Sequence, residues 1–294
     1  MSILYGTGVA VVTPFKTDES VDHESLSKLL SHLMDGGVDY IVALGTTGET
    51  PVLDEREQIE VLETVYHVVG TRVPIVVGIG GNATKKVIDQ MKRMPLEKAV
   101  AILSASPYYN KPSQEGIFQH YKALSAQAPK PILLYNVPGR TGRNMTSSTT
   151  LRLAREVKNI IGVKEAGANM NQCMEILRER PEGFAVLSGD DDLVMAQIAC
   201  GMDGVISVAA NAYPADFSAM IRSARNQDFV QAKLINDQLI PAYALMFEEN
   251  NPAGIKSFLA AKGLIQNVLR LPCVPVTNDL SNRIQSFVSA CLLS

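Results

Sequence analysis

Residues 131–164, PILLYNVPGRTGRNMTSSTTLRLAREVKNIIGVK, hold one complete unit of the fold. The apolar run Pro131 to Tyr135 ends in turn chemistry at Asn136-Val137-Pro138-Gly139. Ser147 to Arg155 then carries apolar residues three or four apart, the period of a helix with one buried face. A second short run, Ile160 to Lys164, closes the stretch. A strand, a helix and a strand in that order predict a parallel pair joined by a crossover.

The same alternation extends in both directions. Strands are predicted at Gly8–Thr13, Tyr40–Leu44, Pro74–Gly78, Ala99–Leu103, Pro131–Tyr135, Ile160–Lys164, Phe184–Leu187 and Gly204–Ser207. Helices are predicted at Glu24–Asp35, Glu55–Val69, Lys85–Arg93, Gln114–Gln127, Ser147–Arg155 and Asn171–Arg180. Eight such units fit the count and length of a closed (β/α)8 barrel, a TIM barrel. A doubly wound open sheet competes, but its first strand usually runs into G-x-G-x-x-G, whereas this one runs into Thr13-Pro14-Phe15. Past the eighth strand only helical patterns remain, at Ala215–Arg225, Phe229–Phe247, Gly254–Ala261 and Arg283–Leu292. The expected organisation is a catalytic barrel over 1–225 and a C-terminal helical region over 226–294.

Composition narrows the function. Of 294 residues, 46% are hydrophobic and 19% charged, which suits a large packed core. With 27 Lys plus Arg against 30 Asp plus Glu, the net charge of −3 offers no footprint for nucleic acid. No apolar run is long enough to cross a bilayer, and the opening residues lack a signal-peptide pattern, so a cytoplasmic location is expected. Cys173, Cys200, Cys273 and Cys291 are far apart, and His23, His32, His67 and His120 form no ligand motif. The expectation is reduced, packed thiols, surface or half-buried histidines, and neither metal nor organic cofactor.

Barrel chemistry gathers at the C-terminal ends of the strands. Those ends read Gly45-Thr46-Thr47-Gly48-Glu49, Gly81-Asn82, Ser106-Pro107-Tyr108-Tyr109-Asn110, Tyr135-Asn136-Val137-Pro138-Gly139-Arg140, Lys164-Glu165 and Gly189-Asp190-Asp191, with the eighth near Ile206. A lysine ending an apolar strand is held where desolvation disfavours its charge, and a neutral amine can attack a carbonyl. A structural lysine paired with Glu165 is the alternative. Tyr135 could carry protons for Lys164, or be an ordinary buried tyrosine. The threonine turn could cradle a carboxylate, or simply join a strand to a helix. Arg140 could clamp a carboxylate with its planar fork, or lie on the surface.

Taken together, these motifs resemble the pyruvate-dependent class I aldolase and lyase barrels, the dihydrodipicolinate synthase and N-acetylneuraminate lyase family, over nearly the whole chain. The double threonine, the tyrosine pair and Arg140-Thr141-Gly142 are similar to the branch that joins pyruvate to L-aspartate-4-semialdehyde in diaminopimelate and lysine biosynthesis. The resemblance implies a Schiff base on Lys164. It implies a proton relay of Tyr135, Thr46 and Tyr109, the last contributed by a neighbouring subunit of a homotetramer. It further implies that Thr47 holds the pyruvate carboxylate, Arg140 holds the aldehyde's carboxylate, and Gly189 and Ile206 line the pyruvate pocket.

One departure stands out. Lysine-inhibited members of the family usually place a glutamate where this chain has Lys86, and histidines where it has Glu55 and Gln58, although Asn82 and Tyr108 match their effector pocket. Weak or absent feedback by L-lysine is therefore expected. Three other readings stay open: a lyase of the same family acting on a sugar acid, a non-catalytic amino-acid-binding barrel, and an unrelated phosphate-handling barrel. The carboxylates of Asp190, Asp191 and Asp192 oppose the last.

Overall fold

The computed structural model describes residues 4–290. Its eight strands are β1 (Gly6–Ala10), β2 (Tyr40–Ala43), β3 (Ile75–Gly78), β4 (Ala101–Ala105), β5 (Ile132–Asn136), β6 (Ile160–Glu165), β7 (Ala185–Ser188) and β8 (Gly204–Ser207). They follow one another around a closed barrel in chain order. The helices are α1 (His23–Asp35), α2 (Glu55–Val69), α3 (Thr84–Arg93), α4 (Gln114–Ser125), α5 (Pro138–Thr141), α6 (Ser147–Glu156), α7 (Met170–Glu179), α8 (Val194–Ala199), α9 (Pro214–Arg225), α10 (Phe229–Phe247), α11 (Ala253–Ala261) and α12 (Asn278–Ala290). The predicted barrel with added C-terminal helices is the observed architecture.

Local chemistry explains half of the helix starts. Asp22, Asp54, Ser113, Thr146, Asn169 and Asp228 each accept a hydrogen bond from a backbone N–H of the first turn of α1, α2, α4, α6, α7 and α10, satisfying donors that have no partner inside the helix. At α2 the Glu57 side chain also reaches back to the Asp54 N–H, completing a capping box. Helix α8 was not among the helices predicted, since six residues are too few for a helical period to show. The last helix was expected at Arg283–Leu292 but begins at Asn278; its expected end, and Cys291, lie outside the described residues.

The chain groups into two compact units, Ile75–Ile206 with residues 4–5, and Gly6–Pro74 with residues 207–290. In the second unit, Gly8 of β1 stands opposite Tyr40 of β2. A Cβ at Gly8 would lie 2.1 Å from the Tyr40 ring, so the tyrosine covers the strand only because that residue is glycine. The C-terminal helices α9, α10, α11 and α12 group with β1 and β2 in this unit.

In the first unit the strand register decides where the chemistry falls. Ile132 pairs with Ile160, but the next residue, Leu133, pairs with Gly162, so β6 carries one extra residue at Ile161. Beyond this bulge Tyr135 stands opposite Lys164, and Asn136 opposite Glu165.

Candidate active site

Successive side chains of a strand point to opposite faces. Glu165 faces the helix layer, where its carboxylate accepts hydrogen bonds from Asn136 Nδ2 at 2.8 and 3.0 Å and from Gln172 Nε2 of α7 at 3.0 Å. Lys164 and Tyr135 therefore face the barrel interior. The Lys164 side chain is nearly enclosed, at 5% exposure, and its Nζ lies 4.5 Å from the centre of the Tyr135 ring. Lysine and tyrosine are in contact, as sequence reasoning expected of adjacent strand ends. Glu165 is not the lysine's structural partner, since its oxygens are taken up on the other face of the strand.

That outer network is extensive. Asn144 Nδ2 donates to Gln172 Oε1, Gln172 Nε2 to the Met145 carbonyl, and the Met145 N–H to Asn136 Oδ1, at 2.8, 3.1 and 2.9 Å. It ties the ends of β5 and β6 to α7 and to the segment after α5. Burial raises the Glu165 carboxyl to about 7, against the pull of the Asn136 and Gln172 amides. Burial likewise raises Asp190 to about 6, with Asp192 adding to the effect. Sequence reasoning gave these amides no role.

Gly189 follows β7. A Cβ there would sit 2.5 Å from the Ala166 methyl carbon and 2.9 Å from Lys164 Cε, so its missing side chain is what admits the lysine stem. Ile206 is fully buried near the end of β8. Arg140 lies exposed on the short helix α5. After β4, Tyr108 is partly exposed and Tyr109 is 88% exposed, with its backbone in the left-handed region at φ 70°. Asn82 is half-buried, and its carbonyl accepts from Asn110 Nδ2 at 3.0 Å. Lys86 is exposed in the first turn of α3.

The other compact unit presents the threonine turn. Thr46, Thr47 and Gly48 form a single 3-10 turn after β2, with Thr47 buried and Thr46 half-buried. Glu49 follows in the left-handed conformation at φ 53°. The turn is tied on all sides: Thr13 Oγ1 donates to the Gly48 carbonyl at 2.7 Å, Thr50 Oγ1 to the Gly45 carbonyl at 3.0 Å, and Asn251 Nδ2 to Thr47 Oγ1 at 3.1 Å.

Glu49 forms a buried ion pair with Lys256 of α11 and accepts from the Arg270 N–H at 3.3 Å. Burial lowers the Lys256 ammonium to about 8, with Glu49 opposing. Gln58 is buried and donates to the Leu53 and Thr50 carbonyls, whereas Glu55 is exposed at the start of α2.

Sequence reasoning missed Asn251 and Lys256. A lone lysine inside Ala253-Gly254-Ile255-Lys256-Ser257-Phe258-Leu259 was the available signal, because a cation in a buried helix needs a buried partner.

Of the thiols, Cys173 is buried, Cys273 half-buried and Cys200 exposed. Cys200 thus departs from the packed thiols expected. His120 is buried rather than at the surface or half-buried, in hydrogen-bond contact with Thr84 at 2.9 Å. Among the described residues no group of three His, Cys, Asp or Glu side chains gathers as a metal ligand set would.

A model of the dihydrodipicolinate synthetase family matches residues 4–291. The chain belongs to that family. A member from Parabacteroides distasonis, named 4-hydroxy-tetrahydrodipicolinate synthase, is 51% identical over 272 residues, 92% of each chain. Among solved structures, the dihydrodipicolinate synthase from Aquifex aeolicus superposes with a TM-score of 0.94 at 35% identity, covering 97% of both chains. The chloride-inhibited family member from Acinetobacter baumannii, determined in complex with pyruvate, gives a TM-score of 0.94 at 38% identity over 97% of this chain and 98% of its own.

Proposed function

We propose that the chain is a 4-hydroxy-tetrahydrodipicolinate synthase, joining pyruvate to L-aspartate-4-semialdehyde through a Schiff base on Lys164. The observation that carries this reading is the enclosed Lys164 amine against the Tyr135 ring, with a glycine clearing its stem. Family membership and the pyruvate held by the Acinetobacter baumannii relative support it.

The Lys164 amine attacks the keto carbon of pyruvate, and loss of water leaves an imine. The iminium nitrogen withdraws electrons from the methyl carbon, which gives up a proton to form an enamine. The enamine carbon attacks the aldehyde of the second substrate, making the new C–C bond and an alkoxide that takes up a proton. The amino group of the joined substrate then adds to the imine carbon, closes the ring and expels the Lys164 amine.

Each proton step needs a nearby acid or base. Tyr135 fills that role at Lys164, relayed through Thr46 to the partner subunit's Tyr109. Thr47 and the amides of its turn hold the pyruvate carboxylate, Arg140 holds that of the semialdehyde, and Gly189 and Ile206 line the pyruvate pocket.

The exposed Tyr109 ring gives a reason to assemble, and the reading includes a homotetramer working in the cytoplasm. Tyr109→Phe is expected to impair turnover while sedimentation shows the assembly unchanged.

Borohydride reduction in the presence of pyruvate, followed by peptide mass analysis, tests the reading. The expected result is a pyruvate-derived adduct on Lys164 and turnover with aspartate semialdehyde. No adduct on folded protein would overturn the Schiff-base mechanism. An adduct without turnover of the semialdehyde would assign the chain to a lyase of the same family acting on a sugar acid.

A further inference from the structure

We infer that Asn251 is a positioning residue that holds the Thr47 hydroxyl as a hydrogen-bond donor for the carboxylate of the 2-oxo acid. The inference rests on the reading above that Thr47 binds that carboxylate. A hydroxyl has one hydrogen to give and lone pairs to receive with, whereas a carboxylate can only receive. A threonine that binds a carboxylate must therefore give its hydrogen to it. The Asn251 side-chain N–H points at the Thr47 oxygen from 3.1 Å, so that oxygen is used as an acceptor on the Asn251 side and its hydrogen is turned elsewhere. Both side chains are buried, where water does not compete to reorient the hydroxyl.

The surroundings prevent Asn251 from drifting. Asn250 donates through Nδ2 to Cys273 Sγ at 3.8 Å, and its carbonyl accepts from the Gly254 N–H at 2.9 Å. A Cβ at Gly254 would lie 2.1 Å from the Met246 carbonyl oxygen, so α11 packs backbone against backbone on the end of α10. Five residues past Asn251, Lys256 forms its ion pair with Glu49, two residues past Thr47. The stretch 251–256 thus grips the threonine turn at two points, one through an amide and one through a charge. The first grip sets which way a hydroxyl points; the second keeps the turn in place while it does so.

The test is steady-state kinetics on the full-length enzyme, with the Michaelis constants for pyruvate and for the semialdehyde measured separately. Asn251→Ala should raise the pyruvate constant about tenfold, the scale of one hydrogen bond to a charged group, with the semialdehyde constant unchanged. In a Thr47→Val background, which has no hydroxyl to orient, Asn251→Ala should add nothing further. Asn251→Asp keeps the shape and turns donor into acceptor, so it should be worse than alanine for pyruvate; it carries the test if the alanine variant does not fold, as judged by circular dichroism.

An unchanged pyruvate constant, equal rises for both substrates, or an undiminished effect in the Thr47→Val background would overturn the inference. Borohydride trapping of the wild type with pyruvate is the control. If the wild type forms no adduct, the functional reading itself fails. If it does and Asn251→Ala behaves as the wild type, only the role of Asn251 fails.

Discussion

Tyr135 and Lys164 stand directly opposite each other on β5 and β6, with the lysine nitrogen 4.5 Å from the centre of the tyrosine ring. The pair separates two functions that substitution can isolate. Lys164→Ala is expected to abolish both the borohydride adduct and turnover while circular dichroism shows the barrel intact. Tyr135→Phe keeps the ring and loses the phenol O–H proposed to carry protons, so turnover should fall roughly 100-fold or more. Appreciable turnover by Lys164→Ala would remove the covalent step from the mechanism.

Gly189 predicts an asymmetric defect. The Cβ of Gly189→Ala would press on Lys164 Cε and the Ala166 methyl. Overpacking of this kind costs about 1–3 kcal/mol, but the flexible lysine stem yields more readily than the Ala166 methyl. Adduct formation with pyruvate should therefore slow by more than the fall in melting temperature would suggest. A variant that traps pyruvate at the wild-type rate would show that the lysine has other room.

Glu165 gives stability a pH dependence. Its carboxyl is raised from 4.5 to about 7 by burial, so between those values the folded protein holds the proton more tightly than the unfolded chain. The group leaves stability undiminished below pH 4.5 and lowers it as pH rises toward 7, by up to about 3 kcal/mol at 1.36 kcal/mol per unit. Glu165→Gln should flatten that part of the profile, as read from urea denaturation at several pH values. An unchanged slope would show that the carboxyl titrates normally.

The ion pair of Glu49 and Lys256 is fully enclosed. Lys256→Met alone strands a buried carboxylate and is expected to cost about 3–5 kcal/mol. Adding Glu49→Gln should recover much of that, because two neutral groups replace two charges. Additive losses in a double-mutant cycle would mean that the two side chains do not depend on each other.

Response to L-lysine is expected to follow from what Lys86 and Gln58 offer an ammonium-bearing ligand. Lys86 is an exposed cation, and the Gln58 amide is committed to the Leu53 and Thr50 carbonyls. The expected inhibition by L-lysine is weak or absent, measured on initial rates with both substrates; an inhibition constant well below millimolar would refute it.

The elements that could be read from the sequence are those whose signals are local. Helix α2 has an aspartate cap, a glutamate three residues on and an unbroken apolar stripe, and α10 runs from Phe229 to Phe247 as its period implied. Lys164, Tyr135 and the threonine turn were legible because each ends an apolar strand. Asn251 was not, since its partner Thr47 lies 204 residues away and nothing local marks an asparagine that serves a distant hydroxyl. Neither was the amide network of Asn136, Asn144 and Gln172, whose members look like ordinary loop and helix residues until β5, β6 and α7 are brought together.

The extra residue at Ile161 makes the chemistry a question of odd and even. If Ile161 instead paired with Leu133 and the ladder ran on unbroken, Asn136 rather than Tyr135 would stand across from Lys164, and β6 beyond that point would be turned inside out. Glu165 would look into the barrel and Lys164 into the helix layer, with every residue of the motif still present in order. A slip of pairing by a single residue at this point would thus disable the chemistry proposed for Lys164 without touching a reactive group, so changes that shift the register of this strand deserve closer scrutiny than substitutions when variants of the chain are compared.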